Sequence, residues 1–330
     1  MSRCVPAEWS SHKAVFVGFP SHAELWGADL AAARIETAGF VRALCEEGGE
    51  KVRLLARGAE ALGEAARLLA GCEAEIEEAA FGDIWVRDTG PIFSGPGEAH
   101  AFAFNGWGGK WRLAGDEDMA KWIAEAAGAR LERHDFVLEG GALDHDGAGT
   151  CLATRQCLLN PNRNRGWSEA DAEDALGEAL NVKRLVWLGE GIINDHTDGH
   201  VDNLARFLAP GLACCQMAFG SDDPNFRIHG EAAQALAAAQ DAEGRPLRVI
   251  RIPSPGRILD AERRTLPASH LNFFVANRAV IVPVYEEIAS SLAIQALQSF
   301  IEDRVVIGLP ARALLSGGGA FHCISQQQPA

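Results

Sequence analysis

The run HVDNLARFL (200–208) is followed by GLACCQM (211–217), by an amphipathic stretch near 227–241 and by LRVIRI (247–252). Two apolar runs of strand length, a segment of helical period and a further apolar run make one ββαβ unit. The same order recurs on both sides of it. Downstream stand HLNFFVA (270–276), RAVIVPVY (278–285), a helix near 287–301 and RVVIGL (304–309). Upstream stand GALDHD (141–146), TCLATRQCLL (150–159), a helix near 168–180 and KRLVWL (183–188). Before these come IWVRD (84–88), HAFAF (100–104), a helix near 116–127 and RLERHDF (130–136). The first instance is reduced to AVFVGF (14–19), a helix around 27–48 and KVRLLA (51–56).

Residue identities do not repeat between the five units, so the repetition is one of pattern. A lone unit cannot bury both its sheet face and its helix stripe, and the units must pack together. Arranged around a common axis with helices outside, they predict a closed α/β propeller. A doubly wound sheet is the competing architecture, and it predicts a Gly-rich phosphate turn after the first strand. VGFPSHAELW (17–26) has no G-x-G-x-x-G there, which argues against nucleotide binding.

With 330 residues and 48% hydrophobic content, the chain can bury a substantial core. A net charge of −15 and a pI near 5.1 argue against nucleic acid, because nothing offers the basic patch that phosphate requires. The same acidity suits a cationic ligand. MSRCVPAEWS (1–10) has no apolar core of a signal peptide, and no apolar run approaches the roughly 20 residues needed to span a bilayer. No membrane partner and a cytoplasmic location are expected.

None of the eight cysteines forms a C-x-x-C pair, so buried thiols are expected in place of a disulfide framework. Cys151 and Cys157 fall in the strand-like run TCLATRQCLL, and Cys214 and Cys215 in GLACCQM, where a small apolar side chain suffices. The ligand spacing of structural zinc is absent. Cys323, in AFHCIS (320–325) directly after Gly317, Gly318 and Gly319, is open to three readings: packing, metal ligand or nucleophile.

Polar residues out of place in apolar runs carry further information. In DIWVRDTGP, Arg87 and Asp88 are expected to end a strand, and Asp88 could simply cap the turn at Gly90 and Pro91. His200 and Asp202, two apart, are expected on one face of a strand start, where they could pair with each other or hold a metal. No further histidine stands at ligand spacing. Glu139 precedes two glycines that permit close backbone approach.

Taken together, WVRDTGP (85–91), FNGWGGK (104–110), EGG (139–141), LLNPNRN (158–164), DGHVDN (198–203), NFFVANRAVIVP (272–283) and GGGAFHCISQQQP (317–329) resemble a known family. In that order they are similar to the agmatine deiminases and the Porphyromonas-type peptidylarginine deiminases, within the guanidino-group-modifying superfamily. The resemblance implies a five-bladed α/β propeller of ββαβ units, the pentein fold, as a single deiminase domain over 1–330. It also implies a homodimer.

By the same resemblance, Cys323 is the nucleophile, His200 the general acid/base, Asp88 and Asp202 the carboxylates that fork the guanidinium, and Glu139 the residue that orients His200. A guanidinium, with a pKa of roughly 12.5–13.8, is resonance-stabilised and resists water, whereas a thiolate can attack its carbon. No metal and no organic cofactor is expected. Trp85, Trp107 and Gly318 are substrate-pocket candidates because they lie inside family motifs. The expected partner is a small guanidino substrate, agmatine, with peptidyl arginine, free arginine or another small guanidino compound as alternatives. The absence of a signal peptide and of an accessory domain weighs against a secreted modifier of proteins. Two departures bear on the tail beyond the guanidinium. His196 stands where agmatine deiminases often carry an acidic residue, and Glu286 and Glu287 replace Asp-rich text after VIVPV.

Overall fold

The computed structural model describes residues 4–330. Four of its five sheets are three-stranded, each with an antiparallel pair followed by a parallel one. They are built from Ile92–Gly95, Glu98–Ala103 and Arg130–Val137, then Asp144–His145, Thr150–Thr154 and Arg184–Leu188. The next two use Ala205–Ala209, Leu212–Met217 and Arg248–Pro253, then Phe274–Val275, Ala279–Val284 and Val305–Pro310.

The reduced first unit is completed by the end of the chain. Ser325–Pro329 pairs antiparallel with His12–Gly18, which pairs parallel with Val52–Ala56, and Glu75–Glu78 is added at the edge. The five-unit reading therefore holds, with the last strand supplying the missing first strand of unit one.

In each unit a helix crosses between the two parallel strands: Leu30–Glu46, Met119–Ala127, Glu169–Leu180, Phe226–Ala238 and Glu287–Gln298. The third shows why such segments fold. Ser168 and Asp171 form a reciprocal capping box at its start, and Ala172, Leu176 and Leu180 repeat every four residues as its buried stripe. Asn181, in the left-handed conformation, ends it. The middle strand Ala279–Val284 is buried at all but its last residue, as expected where both sheet faces are covered.

The first strands of the units were expected too early. Val86–Thr89 is a single helical turn and the strand begins at Ile92, so Arg87 and Asp88 do not end a strand. His200 and Asp202 do not share a strand face, because Val201–Asn203 is a 3-10 turn ahead of Ala205–Ala209. Cys157 lies in the helical turn Arg155–Leu158. These turns meet at the centre. The Gly141 amide donates to Asp88, Ser269 to the Asn203 carbonyl, the His322 amide to the Asn272 carbonyl, and the Arg87 amide to the Cys323 carbonyl. With the Asp144–Arg206 ion pair between units three and four, these contacts join each unit to the next and close the ring.

Candidate active site

Just ahead of the first strand of each unit stands one polar group or pair: Asp88, Glu139, His200 with Asp202, Asn272, and Cys323. All are buried. A Cβ built on Gly141 would come within 2.6 Å of His200 Nδ1, 2.9 Å of Asp88 Oδ1 and 3.1 Å of Asp202 Oδ2, so glycine is required for these three groups to converge.

The Asp88 carboxylate is held on both oxygens. Oδ1 accepts from the Gly141 amide at 2.9 Å, and Oδ2 from the indole N–H of Trp107 at 2.9 Å. Trp107 reaches it from a backbone with φ 51°, between glycines that also have positive φ. A left-handed tryptophan is strained by roughly 1–2 kcal/mol, a cost retained where the side chain must point one way.

Asp202 Oδ2 accepts from His322 Nδ1 at 2.7 Å and from Asn272 Nδ2 at 3.2 Å, while its Oδ1 is buried without a partner. Behind it, His322 Nε2 lies 2.9 Å from Glu8 Oε2, and Glu8 pairs with Arg206 at 3.0 Å. Burial raises the Asp202 pKa, but His322, His200 and Arg206 together more than offset this and the carboxyl titrates below its ordinary range. Asp88 moves the other way, because burial is compounded by the nearby Asp202 carboxylate.

His200 sits between two carboxylates, with Nδ1 3.7 Å from Asp88 Oδ1 and Nε2 3.9 Å from Glu139 Oε2. Neither ring nitrogen has a hydrogen-bond partner, nor has Glu139 Oε2. Burial disfavours the imidazolium, yet Asp88 and Glu139 push its pKa well above 6.5. Glu139 is itself anchored, its Oε1 accepting from Arg163 Nε at 2.7 Å.

The Cys323 Sγ lies 3.1 Å from Asn272 Nδ2 and 3.6 Å from Asp202 Oδ2. Burial, then Asp202 and Asp88, push the thiol pKa well above 9.0. The thiol opens into a cleft of about 240 Å³, lined by Asp88, Trp85, Trp107 and Gly318 and completed by Trp26, Trp111 and His196 from other segments. The five proposed chemical residues and the three pocket candidates are thus brought together. Asn272, Arg163, His322 and Glu8 were not singled out from sequence. Asn272, Arg163 and His322 lie inside quoted motifs, and the position ahead of a first strand is the signal that could have found Asn272.

Among the described residues, two groups have metal-ligand composition: Glu139, Cys157 and His200 within the site, and His100, Glu132 and His134 away from it. In the second, His100 Nδ1 and His134 Nε2 are already paired at 3.0 Å. All eight cysteines are free. Glu286 and Glu287 are exposed outside the cleft, where Glu286 pairs with Arg312, whereas His196 lies at its mouth.

The model of the Porphyromonas-type peptidyl-arginine deiminase family matches residues 4–329. The chain belongs to this family. Among curated relatives of this deiminase-family chain is the agmatine deiminase of Pseudomonas aeruginosa (strain LESB58), 34% identical over 99% of this chain and 95% of the relative. The agmatine deiminase of Stutzerimonas stutzeri (strain A1501) is also 34% identical, over 99% and 95%. Among solved structures, an agmatine deiminase of Enterococcus faecalis superposes with a TM-score of 0.92 at 29% identity, covering 99% of this chain and 96% of the other. An amidinotransferase from Microseira wollei, 14% identical with a TM-score of 0.53, shares the fold alone. The architecture is the pentein fold. No helix among the described residues is long and apolar enough to cross a membrane.

Proposed function

We propose that this chain hydrolyses agmatine to N-carbamoylputrescine and ammonia, through a covalent intermediate on Cys323. The observation that carries the reading is a buried thiol that lines a cleft 3.6 Å from the Asp202 carboxylate, with Asp88 Oδ1 and His200 Nδ1 converging beside that carboxylate at Gly141. A guanidinium held between Asp88 and Asp202 presents its carbon to the sulfur by charge-assisted hydrogen bonds. The unpartnered Asp202 Oδ1 is available as one acceptor. Arrival of the cation offsets the two negative charges that hold the thiol protonated, so attack becomes favourable only with substrate in place.

The thiol proton leaves to solvent as the cation arrives, and the thiolate Sγ bonds to the guanidinium carbon while a C–N π pair moves onto nitrogen. His200, whose raised pKa keeps it an imidazolium at neutral pH, gives its proton to the departing amine as the C–N bond breaks, releasing ammonia. An S-alkyl thiouronium remains. The imidazole next takes a proton from water, whose oxygen attacks the same carbon, and C–S cleavage leaves the ureido product and the thiol. Glu139 orients His200 and stabilises its charged form.

The test is ammonia release from agmatine, free arginine and a blocked arginine peptide, with Cys323→Ser alongside. Wild-type turnover of agmatine with an inactive, folded Ser variant is expected. A Ser variant at the wild-type rate sinks the assignment. Preference for the blocked peptide selects the peptidyl-arginine reading that the family's name favours. A single deiminase domain, a homodimer and a cytoplasmic location are inferred from the family, and light scattering tests the second.

A further inference from the structure

The cleft above Cys323 is walled by Trp26, Trp85, Trp107 and Trp111, with His196 at its outer end. Two carboxylates line it. Asp88 belongs to the guanidinium end. The other, Asp83, accepts the indole N–H of Trp26 at 3.0 Å on one oxygen and that of Trp85 at 2.8 Å on the other, so it acts as the strut of the aromatic wall. Its burial also raises its pKa, which weakens it as an anionic anchor.

At the mouth, the His196 ring packs on Trp111 with centroids 5.3 Å apart. The His196 carbonyl accepts from Lys110 Nζ at 2.8 Å, and that ammonium lies 2.5 Å from Asp198. An imidazole is neutral or positive, never negative, and Asp198 is already engaged by Lys110, Asn162 and Arg163. The His196 and Trp111 end of the cleft therefore offers indole surface and donors, and the one carboxylate lining the cleft besides Asp88 is Asp83, whose two oxygens each already accept an indole N–H.

We propose that this chain recognises the tail beyond the guanidinium by its apolar surface, and that it hydrolyses neutral-tailed alkylguanidines as a further activity, with His196 setting that breadth. The inference rests on the deiminase reading and concerns only the part of the substrate remote from the reacting carbon. Tryptophan faces also tolerate a cation, so a charged tail is accepted without being required. Gly318, with φ 114°, supports the arrangement, since a Cβ there would come within 2.9 Å of His196 Nδ1.

The test compares agmatine with n-pentylguanidine, in which a methyl group replaces the terminal ammonium. For the wild-type chain, the two kcat/KM values are expected to agree within about tenfold, the range that a cation over a partly desolvated indole can add. His196→Glu, at an exposed position, is expected to raise the agmatine-to-pentylguanidine ratio of kcat/KM by about tenfold through a charge-assisted contact. A wild-type preference for agmatine beyond about tenfold overturns the inference and leaves the deiminase reading standing. An unchanged ratio in His196→Glu removes His196 as the determinant. Hydrolysis of neither compound overturns the deiminase reading itself.

Discussion

Asn272 grips Cys323 at both ends of the residue: its Nδ2 lies 3.1 Å from Sγ and its Oδ1 accepts from the Cys323 amide at 3.3 Å. The same Oδ1 accepts from the Ala320 amide at 3.1 Å, so one side chain sets both the loop and the sulfur. The contact to sulfur also favours the thiolate, against the larger effects of burial and the two carboxylates. Asn272→Ala is therefore expected to lower kcat/KM by about tenfold to a hundredfold and to shift the pH–rate profile to higher pH. A lower rate with an unmoved profile would confine Asn272 to a packing role.

The charge environment of the thiol leads to an alkylation test. Because burial, Asp202 and Asp88 all raise its pKa, Cys323 in the empty site should react with iodoacetamide more slowly than an ordinary thiol at pH 8. Replacing Asp88 by Asn removes one of those charges while abolishing turnover. Alkylation of Cys323, followed by peptide mapping, is expected to speed up by about tenfold in that variant. A slower reaction would mean that the carboxylate does not act on the sulfur through its charge.

Three histidines, His145, His229 and His270, weaken the fold in acid, because burial lowers the pKa of each to about 4. His270 is satisfied as a neutral ring, Nδ1 donating to the Pro253 carbonyl at 2.9 Å and Nε2 paired with Ser290 Oγ at 3.1 Å. The unfolded chain takes up these protons near pH 6.5, whereas the folded chain resists until about 4. Stability is therefore full above 6.5 and falls as pH drops from there towards 4, by up to about 3 kcal/mol for each ring. Urea titrations between those limits should show that fall, with a shallower slope in His270→Gln.

The pattern of strands and helices was legible wherever local periodicity governs, as in the capped helix Glu169–Leu180 or the buried strand Ala279–Val284. It misled at the centre of the ring. IWVRD and HVDNL are apolar because they are buried around the site, yet their backbone forms helical turns that aim Asp88, His200 and Asp202 inward. SQQQP, polar and short, shows no strand signal, and it becomes a strand through pairing with His12–Gly18 at the other end of the chain. The site residues found from sequence were those in motifs dense in glycine, aspartate and histidine. Glu8, and His322 even though it lies inside GGGAFHCISQQQP, escaped because their roles lie in partners distant in sequence, Arg206 and Asp202.

The last prediction concerns divalent metal. In Glu139, Cys157 and His200, the potential ligand atoms lie within 4.8 Å of one another, and Glu139 Oε2 and both His200 nitrogens have no hydrogen-bond partner. Zinc suits such an N, O, S set. The proposed reaction needs that same histidine free to carry a proton, and it needs Asp88 and Asp202 free to hold an organic cation. Metal bound at either place competes with catalysis. Chelator treatment is therefore expected to leave ammonia release unchanged or to raise it, and added zinc to inhibit. Cys157→Ser should weaken the zinc effect, since a hydroxyl is a poor zinc ligand beside a thiolate. Loss of activity on chelation, restored by one specific metal, would replace the thiol mechanism with a metal-activated one.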